Sequence, residues 1–390
     1  MAAAVAGQFL FGVILALLGT LFGLAPATEH LGLDLEAKAR LLLTLFTGQL
    51  IFTAIAGRIV DRFGSARVLA AGSLIMAAAL VVLAEAEGLG AAMVAAALMS
   101  LGGASANAAS NVLVSNVYGA QRGPMLSVLG VFGAVGALGV PFVFAGVSTY
   151  GQVRARLLAI AAAGVAAAVA QALQPQPPVT RDPAATRGAT RAALRDPWVL
   201  ALSALLLLDF GNESVMAGWI ATYTLGAVPG ASGTTMVALY WGALVVGRII
   251  TPAVLARVSK LRLIAIATIV GVAGFVATAA ATSSAVLALT VVCTGLALAP
   301  LGPTILSVAG DRYERNTGAV FGVMLSLGQF GGVVTPWLVA QVAASAGFRA
   351  ALLVPAGAGL VMLGILAMLL ARESRGTRSP APSQAPEVAQ

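Results

Sequence analysis

Two carboxylates four residues apart, Asp209 and Glu213, stand inside the apolar run LLLLDFGNESVMAGWIATY, Leu205–Tyr223. A carboxylate near the centre of a membrane helix costs roughly 2.5–3.5 kcal/mol on insertion scales, so one is kept where it faces protein or water. Burial disfavours the charged form, and a carboxyl in such a place exchanges a proton as its access to either side changes. Asn212 lies between the two acids, and Trp219 and Tyr223 follow at spacings that fall on one helical face. That face reads as the lining of a polar cavity. Asp209, Asn212 and Glu213 are its candidate proton-coupling or substrate-contacting groups, and Glu213 suits a proton carrier.

Other polar groups stand in comparably apolar surroundings. Asn107 and Asn111 are four residues apart, and Gln329 sits in a later apolar run. Amides either bind a polar solute without the cost of charge or join helices to one another. Trp219, Tyr223, Tyr240 and Trp241 offer an aromatic platform for a solute, or else packing and interface anchoring. Arg248 either snorkels to a membrane surface or pairs with Asp209. A single cysteine, Cys293, and a single histidine, His30, exclude a disulfide framework and any His/Cys metal cluster. No nucleophile–base pair is evident. An enzyme, a metal and a cofactor are therefore not expected.

The elements that hold these groups must be membrane helices. The chain is 59% hydrophobic and 9% charged, against about a quarter charged in a soluble domain. At about 20 residues per span, twelve spans are expected, near 5–26, 39–60, 67–86, 90–116, 124–148, 155–173, 198–224, 234–256, 261–281, 284–308, 317–343 and 348–371. The net charge of +8 is scattered over short loops, a pattern of membrane topology that argues against nucleic-acid binding. With the N-terminus inside, 17 of the 22 Lys and Arg residues fall on the cytoplasmic side. Both termini are then cytoplasmic, and a bacterial inner membrane and a monomer are expected.

The stretch 174–197, QPQPPVTRDPAATRGATRAALRDP from Gln174, lacks apolar periodicity and divides the chain into six spans and six. Residues 1–173 and 198–372 are the expected helical bundles, and 373–390 a disordered tail. Self-similarity supports the division. Gly57, Arg58 and Arg67 recur 190 positions later as Gly247, Arg248 and Arg257. Tyr118, Gly123, Gly133, Gly136 and Pro141 recur 195 positions later as Tyr313, Gly318, Gly328, Gly331 and Pro336. Parallel repeats of this kind suit two bundles that rock about a central site.

The loop GRIVDRFGSARVL, Gly57–Leu69, resembles the signature loop of the major facilitator superfamily at Gly57, Asp61, Arg62, Gly64 and Arg67. The resemblance implies a twelve-helix, all-α fold of two six-helix bundles about a pseudo-twofold axis. It also implies a latch role for Asp61; the second copy has Thr251 there instead. The segments NESVMAGWIATY and YWGALVVGRI resemble the seventh and eighth helices of the fucose permease-like branch at Gly211, Glu213, Gly218, Trp219, Tyr223, Trp241, Gly242, Gly247 and Arg248. That likeness implies proton-coupled uptake of a sugar or related solute. The acids of that branch's first and fourth helices are absent, and Gln8, Asn107 and Asn111 stand there. Coupling would have to move to Asp209 or Glu213. The expected function is alternating-access transport of a small organic solute across the bilayer, with protons. An efflux exporter of drugs or metabolites and a non-transporting receptor are the alternatives.

Overall fold

The computed structural model describes residues 1–118, 122–174, 188, 190–313 and 317–376. The first half comprises α1 (Ala2–Phe22), α2 (Ala25–His30), α3 (Leu35–Phe63), α4 (Ser65–Ala84), α5 (Leu89–Tyr118), α6 (Arg122–Val143) and α7 (Tyr150–Ala172). The second comprises α8 (Pro197–Ala227), α9 (Gly233–Leu255), α10 (Lys260–Ala280), α11 (Ser284–Leu298), α12 (Leu301–Arg312), α13 (Thr317–Ala346), α14 (Phe348–Ala351) and α15 (Leu353–Gly376). Among the described residues, eleven helical stretches are long and apolar enough to cross a membrane, α11 with α12 and α14 with α15 each counting as one. α6 makes the twelfth crossing. Each expected span has its helix, and the differences lie at the ends. The first apolar run stops at Phe22 and restarts as α2 beyond Gly23, with Pro26 in its first turn. The tenth is broken between α11 and α12, because Pro300 and Pro303 offer no N–H to the carbonyls one turn earlier. The linker 174–197 falls largely, and the tail from 377 wholly, outside the described residues.

Alternation of the helices puts the start of α1, the α3–α4 turn and the start of α8 on one face, here the terminal face. The α6–α7, α8–α9 and α13–α14 connections lie on the distal face. Gly64 joins α3 to α4 with φ of 85°, a conformation that favours glycine. Gly57, seven residues earlier, is helical and has open space around it.

Lipid gives helices no hydrophobic reason to associate, so close approach of small residues must hold them. The repeated glycines supply that approach. A β-carbon on Gly136 would overlap the Phe9 carbonyl of α1, and one on Gly331 would overlap the Leu207 carbonyl of α8. These contacts pack α6 on α1 and, equivalently, α13 on α8. Between the halves, α3 packs on α13, α6 on α9 and α1 on α8. The cross-half contacts gather toward the distal face: Gly19 against the Ala217 carbonyl, Gly218 against Leu42, and Gly242 against Leu138. On the terminal side, Ile51, Ala54, Ile55, Gly57 and Arg58 of α3 are exposed. The close glycine contacts between the halves are thus concentrated toward the distal face.

At and just beyond the distal ends of α4 and α10, backbone carbonyls accept side-chain donors; those of Leu83 and Thr278 also accept the N–H three residues on. Tyr150 donates its hydroxyl to the carbonyls of Leu83 (3.1 Å) and Ala84 (3.3 Å), and His30 Nε2 lies 3.1 Å from that of Ala86. In the second half, Tyr223 donates to Thr278 (2.6 Å) and Ala279 (3.4 Å), and Arg349 to Ala281 (3.1 Å). The acceptors are spaced 195 residues apart, the offset of the sequence repeat.

Gly331→Ala is expected to lower stability by about 1–3 kcal/mol through overpacking. Gly139→Ala, with no atom within 4 Å of its β-carbon, is expected not to lower it, since alanine is the better helix former. Melting midpoints of the purified variants in detergent provide the comparison, and equal losses at both positions would refute the packing role.

Candidate functional site

α8 carries both acids and is fixed at its two ends. At the terminal end, Asp196 accepts a 2.8 Å hydrogen bond from the Trp198 N–H, capping the helix. Arg312 lies 4.2 Å from the centroid of the Trp198 ring. Burial opposes ionisation of Asp196, but the adjacent Tyr313 hydroxyl and the Trp198 N–H outweigh it and hold the carboxyl below its ordinary range. Burial, then the Asp196 carboxylate, push the Tyr313 hydroxyl up to about 12. At the distal end, Trp219 Nε1 donates to the Pro336 carbonyl at 3.1 Å, and Tyr223 reaches α10 as described. Arg349 adds a bond to the last carbonyl of α8, at Ala227. Trp219 and Tyr223 are both wholly buried, and Trp219 packs between Phe22 and Phe348. These two aromatics therefore sit as anchors of α8, one turn and more beyond the acids.

Between the anchors, Glu213 forms an ion pair with Arg248 of α9, Oε1 to Nη2 at 3.3 Å. Each side chain keeps 20% of its surface exposed, so the pair is not fully enclosed by protein. Arg248 also donates from Nη1 to the Gly130 carbonyl of α6 at 3.3 Å. One guanidinium thus joins α8 and α9 of the second half to α6 of the first. Sequence reasoning offered Asp209 as the arginine's partner; the structure corrects this to Glu213, and Arg248 does not snorkel to the surface.

Asp209 is placed differently. It is wholly buried, and among the described residues neither carboxyl oxygen has a hydrogen-bond partner. Its Oδ2 faces Gly302, 3.1 Å from where a β-carbon there would stand, at the start of α12 just past the break in the tenth span. The Asp209 and Glu213 charges are close enough to interact with each other and with Arg248.

Further polar groups are gathered around this trio without protein partners. They are the Tyr240 hydroxyl, the Trp241 indole N–H, the Asn212 side-chain carbonyl and Arg248 Nε. Tyr240 lies within electrostatic range of Glu213, Arg248 and Asp209, and its ring meets that of Trp241 edge-on at 5.4 Å. On the first-half side, Gln8 of α1 lies against Gly133, one turn from Gly130, with its Oε1 unpartnered. Asn107 and Asn111 of α5 are half-buried and bonded to each other at 3.0 Å. Gln329 of α13 is half-buried.

The signature-loop residues Gly57, Asp61, Arg62, Gly64 and Arg67 lie around the α3–α4 turn on the terminal face, where Asp61 and Arg62 are exposed. Sequence reasoning missed Gly130, which acts through its backbone, and Gly302. The proline pair 300/303 in the tenth span marked the neighbourhood of Gly302. A cavity of about 710 Å³ opens on the distal face among Gly23, Glu29, His30, Tyr150, Ser232 and Thr234. It is remote from both acids. The buried carboxylates, the single cation and the unpartnered donors and acceptors mark the interior cluster as the candidate site. Among the described residues, no group of His, Cys, Asp and Glu side chains suits a metal ion.

No curated protein matches the chain. Solved structures do. A point mutant of the nucleoside transporter NupG is 15% identical, with a TM-score of 0.75, over 94% of this chain and 98% of that one. A mutant of the E. coli fucose:proton symporter FucP is 17% identical, with a TM-score of 0.66, over 94% and 97%. FucP in its outward conformation is 16% identical, with a TM-score of 0.68, over 94% and 98%. These similarities establish the fold. Residues 4–336 match the model of the Major Facilitator Superfamily, and the chain belongs to that family as a multi-pass membrane transporter, not an enzyme.

Proposed function

We propose that the protein is a proton-coupled secondary transporter of a small polar organic solute, working by alternating access between the helical units 1–173 and 198–372. The observation that carries this reading is the Glu213–Arg248–Gly130 bridge, in which a titratable ion pair of one half also holds the other. An ionisable group inside a membrane that pairs with a partner across the pathway marks a substrate or proton route. Arginine distribution supports a cytoplasmic location for the terminal face, so this conformation would be closed to the outside and open inward. The solute would meet Asn212, Tyr240, Trp241, Gln8, Asn107, Asn111 and Gln329, which supply amide and hydroxyl groups without net charge. That chemistry suits a sugar-like or nucleoside-like molecule, and the named substrates of the structural neighbours are of this kind. Asp61 and the arginines of its loop would latch the halves at the cytoplasmic surface.

Proteoliposomes with an imposed pH gradient and a panel of labelled sugars, nucleosides, organic acids and cations test the function. One class of solute is expected to accumulate. Glu213→Gln is expected to reduce gradient-driven accumulation at least tenfold while leaving exchange of bound solute; normal accumulation by this variant would defeat the coupling role.

The ion pair makes a second, thermodynamic prediction. Arg248→Gln leaves Glu213 without its partner and is expected to cost about 1–3 kcal/mol. Removing both charges in Arg248→Gln/Glu213→Gln is expected to recover much of that loss. A double-mutant cycle on thermal unfolding measures the difference, and additive losses would show that the two side chains are uncoupled.

A further inference from the structure

The two acids sit one turn apart on one helix, yet their surroundings are opposite. Glu213 has a cation at 3.3 Å and keeps part of its surface exposed. Asp209 has neither: it is wholly buried, and both oxygens lack hydrogen-bond partners among the described residues. An isolated ionised carboxylate in such a place is far too costly to persist, and the group takes a proton instead. One guanidinium cannot compensate two carboxylates in this interior, and the geometry commits it to Glu213.

We infer that Asp209 and Glu213 divide the coupling between them: Asp209 stores the proton in this conformation, and the Glu213–Arg248 pair transmits its movement to the Gly130 contact between the halves. The inference rests on the proposed proton coupling and assigns its parts. In the step envisaged, the O–H bond on Asp209 breaks and one forms on Glu213, while the negative charge passes from Glu213 to Asp209. Side chains four residues apart on a helix are neighbours, so a short relay suffices. Arg248 then loses its ionic partner on Glu213 and gains one on Asp209. A guanidinium drawn toward Asp209 is drawn away from the Gly130 carbonyl, and a contact between the halves is released.

The surroundings leave few competitors for this exchange. α9 contributes Tyr240 and Arg248. α12 presents Gly302 to Asp209, and its charged residues, Asp311 and Arg312, lie at its far end. α1 and α13 contain no titratable residue, and α15 has its charged residues only beyond Ala371.

Infrared spectroscopy of the full chain in lipid nanodiscs reads the proton directly, because a protonated carboxyl has a carbonyl stretch that a carboxylate lacks. In the unsubstituted protein at neutral pH, such a band is expected. It should shift when aspartate carries a ¹³C carboxyl and stay in place when glutamate does. Asp209→Asn should abolish it. Glu213→Gln should abolish it too, although Asp209 is intact, since Arg248 then pairs with Asp209 and ionises it. A band that follows the glutamate label, or an aspartate band that survives Glu213→Gln, would overturn the division. For the link between halves, spin labels on exposed Val128 of α6 and Ile249 of α9, with Cys293 replaced by serine, report the separation. Glu213→Gln should change the distance distribution and Asp209→Asn should not; an unchanged distribution in Glu213→Gln would overturn that link. Neither readout uses a solute, so failure of the transport test and failure of this inference are separate results.

Discussion

A charge inside a membrane protein must be paired, wetted or neutralised, and much of this structure follows from how that requirement is met on α8. The helix is apolar around its acids, so no lipid-facing orientation is open to them. It is held at one end by the Asp196 cap and the Arg312–Trp198 contact, and at the other by Trp219, Tyr223 and Arg349. Anchors at both ends fix its rotation. Fixed rotation is what directs Glu213 toward Arg248 and Asp209 toward Gly302 rather than either toward lipid. The large aromatics are therefore a condition of the chemistry even though they stand away from it.

Glycine carries the complementary part of the design. Where Gly136 meets Phe9 and Gly331 meets Leu207, backbones touch, and each half gains a rigid pair of helices. Gly19 and Gly218 make similar contacts across the halves, but only toward the distal face. In the proposed cycle, contacts within a half would persist, whereas those across the halves would break. The two sets use the same residue type and differ in location: one lies within a half, the other between the halves.

Much of this could be read in the sequence. Twelve apolar runs and the spacing of Gly133 and Gly136 against Gly328 and Gly331 gave the architecture, because hydropathy and close packing act through side-chain type. Glu213 and Arg248 were recognisable as groups out of place in lipid. Their pairing was not, since α8 and α9 offer Arg248 two acids one turn apart, and which one it meets depends on helix rotation and depth. The part played by Gly130 was illegible for a different reason: it acts through a carbonyl that every residue possesses. Trp219 and Tyr223 looked like a solute platform because aromatic type does not reveal that their polar atoms are engaged by the backbone of a neighbouring helix.

The capped ends of α4 and α10 extend that point to the repeats of the chain. Three carbonyls in each half occupy equivalent places, yet the donors differ: Tyr150 from α7 and His30 from α2 in one, Tyr223 from α8 and Arg349 from α14 in the other. The requirement belongs to the acceptors, and any donor of sufficient reach fulfils it. The two repeats thus meet an equivalent need with donors drawn from different helices. The equivalence of the halves is carried at these places by the positions of the acceptors and not by the side chains that reach them.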